Sequence, residues 1–214
     1  MFGIGDFAEL AFYYFSKAKY NVNAFTVDSQ YINMDKFCKL PVIPFEDIEK
    51  FFHPNEYNMF IAIGYNKVNQ IRKEKYLLAK SKGYNIISYI DSKATVAQNV
   101  TIGENCFIFE HNNIQPFVKI GNNCIIWSGN HIGHHSVIED HCFIASHVVI
   151  SGRCKIAEGT FIGVNVTIRD NTKIGKHNVI GAGAIILKDT SDYQVYRAIP
   201  TEPIPKSSLE LKKI

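Results

Sequence analysis

The stretch FIASHVVISGRCKIAEGTFIGVNVTI, residues 143–168, decides the fold. Isoleucine stands at 144, 150, 156, 162 and 168, one residue in six. Two places before an isoleucine stand Val148, Cys154, Thr160 and Val166, all compact. Outward from this stretch, the series runs without a break from Ile102 to Ile186. Ile90 and Val96 extend it backward. A strict period of six is the sequence mark of a parallel β-helix. Each hexapeptide makes a short strand and a turn. Three of them close a triangular coil, so residue i lies over residue i+18 at an interstrand spacing of about 4.8 Å. The isoleucines are expected inside, with the small residues in the corner space beside them. Residues 97–186 then make about five coils.

The column arithmetic accounts for the cysteines. Cys106, Cys124 and Cys142 fall in one inward column, and Cys154 has the same phase at another corner. They read as small core filler rather than metal or redox groups. Five cysteines, with Cys38 the fifth and no visible signal peptide, argue against a disulfide framework.

Residues 1–90 follow another rhythm. GIGDFAELAFYYFSK opens on a glycine turn and runs into an apolar helix, with Asp6 and Glu9 spaced for a capping box. VNAFTVD (22–28) and YNMFIAIG (57–64) read as strands, as does YNIISYI (84–90). PFEDIEKFF (44–52) reads as a short helix, and 67–83 as a longer one ending at Gly83. Within it, IRKEKY (71–76) reads as a solvated face. The alternation implies a small parallel, Rossmann-like α/β sheet, whose ligands bind at the carboxyl ends of the strands. Only Met1 and Phe2 precede the Gly3 turn, so the first strand is short or part of the natural terminus is missing. The expected organisation is an α/β domain over 1–90, a β-helix over 91–187 and a tail over 188–214.

The chain has 214 residues, is 46% hydrophobic and carries a net charge of +3. That charge is far from the footprint of a nucleic-acid binder. No run approaches the roughly 18 apolar residues of a membrane span. A cytoplasmic location without membrane insertion is the default expectation.

GHHSVIEDHCFIASHVVISG (133–152), FIGVNVTI (161–168) and VIGAGAIILKD (179–189) belong to the β-helix, and AIPTEPI (198–204) lies beyond it. Together with GIGDFAEL (3–10) and IAIGYN (61–66), they resemble the bacterial sugar N-acyltransferases of the left-handed β-helix superfamily. The nearest group acetylates nucleotide-linked 4-amino-4,6-dideoxysugars for surface glycan biosynthesis, together with sialic-acid O-acetyltransferase-like proteins. The resemblance covers essentially the whole chain.

The resemblance implies a homotrimer with active sites between neighbouring β-helices. The N-terminal domain would hold the nucleotide-sugar, and acetyl-CoA would lie along the β-helix with no metal needed. The family's base, a histidine, falls on His134, and its CoA-contacting backbone positions fall on Val164 and Ala182. Two family positions differ here. The acid that often follows the base is His135, with Glu139, Asp140 or a group from another subunit as substitutes. A second family histidine, at the acetyl group, falls on Phe143, with His141 and His147 as nearby replacements.

The spacing supports these positions. His134 has an outward phase, and its column holds Gly152 one coil later. Gly152 leaves room and a bare peptide able to donate to an oxyanion. Ser146, Val164 and Ala182 form another outward column of mostly small residues. Gly181 and Gly183 flank Ala182 and let a thin ligand lie close to the backbone. In the α/β domain, Gly3, Gly5 and Asp6 are the candidates for phosphate or sugar. Asp28 is the candidate for base or ribose, and Gly64, Tyr65 and Asn66 line the same cleft. Three other readings compete: a sugar O-acetyltransferase, a γ-type zinc carbonic anhydrase, and a scaffold without catalysis. His111 and His147, like His141 and His177, have the spacing of zinc ligands. The third ligand position, however, is Gly152.

Overall fold

The computed structural model describes residues 1–203, 205 and 207–210; the rest of the expected tail lies outside the described residues. The α/β domain contains α1 (Asp6–Lys17), β1 (Phe25–Val27), β2 (Lys36–Phe37), β3 (Leu40–Pro44), α2 (Ile48–Phe51), β4 (Asn58–Met59), α3 (Gln70–Ser81) and β5 (Asn85–Ile86). Phe2 alone represents the short first strand. It bridges in parallel to Thr26 on one side and Ile61 on the other. β1 pairs with β3, and β4 with β5, also in parallel. The order across the sheet is thus β3, β1, Phe2, β4, β5. The strand order reverses between Phe2 and β4, which is where open α/β sheets bind ligands.

Three local expectations are corrected. β2 is an antiparallel edge strand on β3, so the sheet is not wholly parallel. Its hairpin turn uses Cys38 and Lys39 at φ +48° and +67°, without the glycine or asparagine that would have signalled it. Asp6 is not a cap: the N-cap of α1 is Gly5, and no side chain caps the helix. IRKEKY is not a solvated face, because Arg72 is completely buried and Tyr76 nearly so. Gly83 does end α3, at φ +87° with its N–H donating to the Lys80 carbonyl.

The β-helix is left-handed and keeps the 18-residue register from Tyr89 to Ile186, with Ile114 over Ile132 and Ile132 over Ile150; only the last rung, Val179 over Val195, shortens to 16. Its strands stack into three faces. Face I holds Asn113–Ile114, His131–Ile132, Val149–Ile150 and their equivalents. Face II holds Lys119–Ile120, Val137–Ile138, Lys155–Ile156 and Lys173–Ile174. Face III holds Phe107–Ile108, Ile125–Ile126, Phe143–Ile144 and Phe161–Ile162. Face III starts at Tyr89–Ile90 and ends at Val195–Tyr196, inside the segment expected to be tail. The isoleucines at every sixth position from Ile108 to Ile186 are buried. Each such burial contributes about 1.5–3 kcal/mol. Cys106, Cys124, Cys142 and Cys154 are buried beside them with free thiols, as core filler.

Residue type at the outward strand position separates the faces. Face II carries Lys119, Lys155 and Lys173 there, with Thr101 and Val137 at the other two rungs. Face III carries Phe107, Ile125, Phe143 and Phe161, which join the core of the α/β domain with Phe15, Phe25 and Phe60. Face III is therefore a wall shared by both domains.

The backbone explains the histidines. Every sixth residue from Asn105 to Gly183, three before each isoleucine, has φ between +51° and +77°. The occupants include Asn105, Asn123, Gly129, Gly159, Asn165, Asn171 and Gly183. They also include His111, His135, His141, His147 and His177. Asparagine, glycine and histidine tolerate the left-handed region better than most residues. Five of the eight histidines thus stand where the turn requires a residue of this kind.

Candidate functional site

His134 lies at the corner between faces I and II. Its imidazole covers Gly152: a Cβ on that glycine would stand 2.8 Å from His134 Cε1 and Nε2. The expected column is therefore present. The His134 N–H donates to Gln115 Oε1 at 2.9 Å, which fixes the backbone under the ring. Its Nδ1 is 3.1 Å from Nδ1 of His135, with the rings edge to face. One of the two nitrogens carries the proton and the other accepts. His135 packs against Phe117, with ring centroids 4.6 Å apart. Desolvation, the Arg153 guanidinium and His134 hold the His135 pKa below its ordinary value. His135 thus favours the neutral form, whose Nδ1 can accept a hydrogen bond from Nδ1–H of His134. Glu139 is engaged elsewhere, with Lys155 Nζ at 2.8 Å, and Asp140 accepts from the Asn122 N–H at 2.7 Å. Neither contacts His134.

Ser146, Val164 and Ala182 form one outward column at the corner between faces III and I. Val164 is 44% exposed, and Ala182 is also exposed. Among the described residues, the amides of Ser146, Val164 and Ala182 donate to no acceptor, nor does that of Gly152. The column is a ladder of unpaired donors with short side chains. Gly181 and Gly183 flank it for a backbone reason. A Cβ on Gly181 would stand 3.0 Å from the Tyr196 carbonyl, and Gly183 has φ +72°.

The cleft of the α/β domain opens at the carboxyl ends of its strands. Gly3 is fixed by packing, since its Cβ would come within 2.6 Å of the Ala62 carbonyl. Around Gly5 and Gly64 a Cβ would meet nothing within 4 Å, so both border open space. Gly5 starts α1, where unpaired N–H groups favour an anion. Asp6 and Asn66 are exposed beside it. Asp28 is paired with Lys75 Nζ at 2.9 Å. Tyr65 is 55% exposed and packs its ring on Phe143 and Phe161, each at 4.9 Å. Phe143 itself is 3% exposed, under Tyr65 and beside Trp127. It faces the domain junction rather than open space. His141 and His147, its suggested replacements, stand at left-handed turn positions.

A cavity of about 390 Å³ lies at the other end of the sheet, by the amino ends of the strands. It is bordered by Met1, Ala24, Asn58 and Tyr84, and no candidate residue lines it. A cluster of three or more residues able to hold a metal ion is absent among the described residues. No helix among them is long and apolar enough to cross a membrane.

Within one chain the parts do not all meet. α1 docks beside the III/I corner: Phe7 is 6.5 Å from Trp127, and the Tyr14 hydroxyl donates to Glu110, which also accepts from Ser128. The cleft and the ladder of free amides are thus neighbours. His134 is at the I/II corner, across the width of face I.

Comparisons with known proteins share this outline. A family model described as the GMPPB C-terminal domain matches residues 86–185. No curated protein matches the chain. Among solved structures, the chain is similar to perosamine N-acetyltransferase from Caulobacter crescentus, in complex with CoA and GDP-perosamine. That likeness has 20% identity and TM-score 0.83, over 91% of this chain and 90% of the other. It is also similar to the acetyltransferase domain of PglB from Neisseria gonorrhoeae, in complex with acetyl coenzyme A. Here identity is 20% and TM-score 0.82, over 95% of this chain and 97% of the other. WeeI from Acinetobacter baumannii matches at 19% identity and TM-score 0.79, over 91% and 93% of the two chains. The shared fold therefore spans both domains.

Proposed function

We propose that this chain is an acetyl-CoA-dependent sugar N-acetyltransferase. Its acceptor would be a nucleotide-linked amino-deoxysugar, specifically a 4-amino-4,6-dideoxysugar, used in glycan biosynthesis. The observation that carries the reading is the imidazole of His134 over Gly152, beside an amide with no partner. The likeness of fold to proteins crystallised with CoA and GDP-perosamine, or with acetyl coenzyme A, supports it.

In this reading acetyl-CoA lies along the III/I corner. Its amide carbonyls accept from Val164 and Ala182, and the short side chains leave room for the pantetheine arm. The sugar nucleotide occupies the cleft at Gly5 and Gly64. His134 comes from a neighbouring copy in a homotrimer, because the cleft and His134 are on different corners of one chain. Phe143 bounds the acyl end through Tyr65 rather than touching it as a histidine would.

The amine nitrogen attacks the thioester carbonyl carbon while its proton passes to Nε2 of His134. Imidazole is a general base suited to that transfer at neutral pH. Nδ1–H of His134 donates to neutral His135, which orients the ring where relatives have an acid. The oxyanion accepts from the Gly152 amide. The C–S bond then breaks, and the CoA sulfur leaves with the proton from His134.

Thiol release from acetyl-CoA, measured against a panel of nucleotide amino-sugars, tests the reading. At least one acceptor should turn over, and His134→Ala should lose about 10²–10⁴-fold in rate. An intact rate in His134→Ala removes the base assignment. Turnover with hydroxyl acceptors alone makes the enzyme an O-acetyltransferase. Zinc at one ion per subunit would favour the carbonic anhydrase reading, and failure to bind acetyl-CoA would leave a scaffold.

A further inference from the structure

Arg72 on α3 is completely buried, and among the described residues no carboxylate partners it. It donates instead to neutral oxygens on both domains. Nε and Nη2 reach the Asn123 carbonyl at 3.3 Å, and Nη2 also reaches the carbonyls of His141 at 3.0 Å and Cys142 at 3.1 Å. Nη1 reaches the Gly64 carbonyl at 2.5 Å and Asn69 Oδ1 at 3.0 Å. Burial lowers its pKa only to about 10, so the group is charged at neutral pH.

Asn69 completes the arrangement. Its Nδ2 donates to the Gly159 carbonyl at 2.9 Å. Asn123, His141 and Gly159 are 18 residues apart, all at left-handed turn positions of the II/III corner. Arg72 and Asn69 therefore hold three successive rungs of one column.

The segment they hold is unusual. Lys67, Val68 and Asn69 are consecutive residues at φ +50°, +51° and +68°. A β-branched valine in this region is a backbone outlier, maintained only where surrounding contacts over-determine it. The segment begins at Gly64, Tyr65 and Asn66, the rim of the cleft.

We propose that Arg72 and Asn69 are positioning residues that set the Gly64–Asn66 rim of the acceptor cleft on the β-helix. The proposal rests on the acetyltransferase reading above. Neither residue touches the III/I corner, so the Ser146, Val164 and Ala182 amides that would hold the body of CoA stay as they are when the two change; the Arg72 guanidinium does lie 5.9 Å over the Phe143 ring at the acyl end. Substrate placement is sensitive to such supports: a misplacement of about 1 Å can lose about 10²-fold.

Asn69→Gly and Arg72→Lys test it. Glycine tolerates the φ of residue 69, and lysine keeps the charge with fewer donors. Three quantities are measured: the KM for the nucleotide amino-sugar, the KM for acetyl-CoA, and amide hydrogen exchange over residues 64–70. The expected result is an acceptor KM raised on the order of tenfold or more, with acetyl-CoA KM within about twofold and faster exchange confined to the loop. Arg72→Lys should lie between wild type and Asn69→Gly combined with Arg72→Met. If both KM values rise together, or if exchange quickens while neither KM moves, the role is structural and the proposal fails. A wild-type protein that turns over no nucleotide amino-sugar and binds no UDP, GDP or dTDP sinks the acetyltransferase reading itself. The clamp then has no ligand to position.

Discussion

Two corners of the β-helix have the same backbone and opposite chemistry. At the II/III corner four of the five outward amides from Glu104 to Lys176 are capped among the described residues, Asp140 being the exception, and three of them from one coil later: Glu104 N–H donates to Asn122 Oδ1, Asn122 N–H to Asp140 Oδ1, and Lys176 N–H to Asp192 Oδ1. Glu158 N–H is satisfied by Glu139. The corner carbonyls are taken by Arg72 and Asn69. At the III/I corner the equivalent positions are Ser146, Val164 and Ala182, whose side chains do not reach back to cap the amide one coil below. The difference lies in one residue per hexapeptide. Long polar residues close a corner on itself. Short ones leave its donors for something else, and an exposed amide ladder beside a cleft is suited to a ligand with regularly spaced carbonyls.

The comparison can be broken in order of expected effect. The largest lies at the third corner. Gly152→Ala puts a methyl 2.8 Å from the working edge of His134. The ring must swing aside, and kcat/KM should fall about a hundredfold. Thermal unfolding should be little changed, because Gly152 does not have a left-handed φ. Retained activity would mean that His134 works from another pose.

Next comes transplanting a cap. Ala182→Asp places a carboxylate 18 residues after Val164, as Asp140 stands to Asn122. The Val164 amide closes, and calorimetry should show acetyl-CoA binding about tenfold weaker, or about 1.4 kcal/mol. Unchanged affinity would show that the free amides do not hold CoA. The reciprocal Asp140→Ala opens the Asn122 amide. It should lower stability by about 1 kcal/mol in denaturant titration, with kcat unchanged; a fall in kcat would contradict the division of labour between corners.

The smallest effect is a pH slope. Asn123 Nδ2 donates to His141 Nδ1, so that nitrogen is unprotonated. Burial first, then the Lys73 charge, holds the His141 pKa below its ordinary 6.5. The unfolded chain then binds the proton more readily, so this contribution to stability is present above pH 6.5. It is lost as the pH falls toward the folded pKa. His141→Asn tolerates the turn and removes the titration. Its melting temperature should drop less than that of wild type between about pH 7.5 and pH 5.5. Equal drops would assign the slope to other groups.

Much of this was legible in the sequence because the repeat fixes height and direction together. Once Ile132 and Ile150 point inward, His134 must stand over Gly152. The apolar pairs Phe107–Ile108 and Phe143–Ile144 mark a face buried on both sides, whereas Lys155–Ile156 marks one left to solvent. The hairpin at Cys38 was not legible, since its turn lacks the usual residues. Arg72 was hidden for another reason. Helical periodicity reports which positions are apolar, and the oxygens that bury this cation exist only when a β-helix corner docks beside α3. The left-handed positions were visible as a recurrence of asparagine, glycine and histidine, but their cause is a backbone angle.

That recurrence has a consequence for how such a protein changes over generations. Every sixth residue is a place where imidazole fits the main chain without disturbing the isoleucine stack. Histidines can therefore drift in and out of a lattice with fixed vertical and horizontal spacing, before any of them has a task. His147 already lies over Gly129 and His177 over Gly159, each one coil after its glycine, whereas His134 stands one coil before Gly152. The fold thus maintains a stock of pre-placed bases, and new chemistry needs only a neighbouring surface to select one.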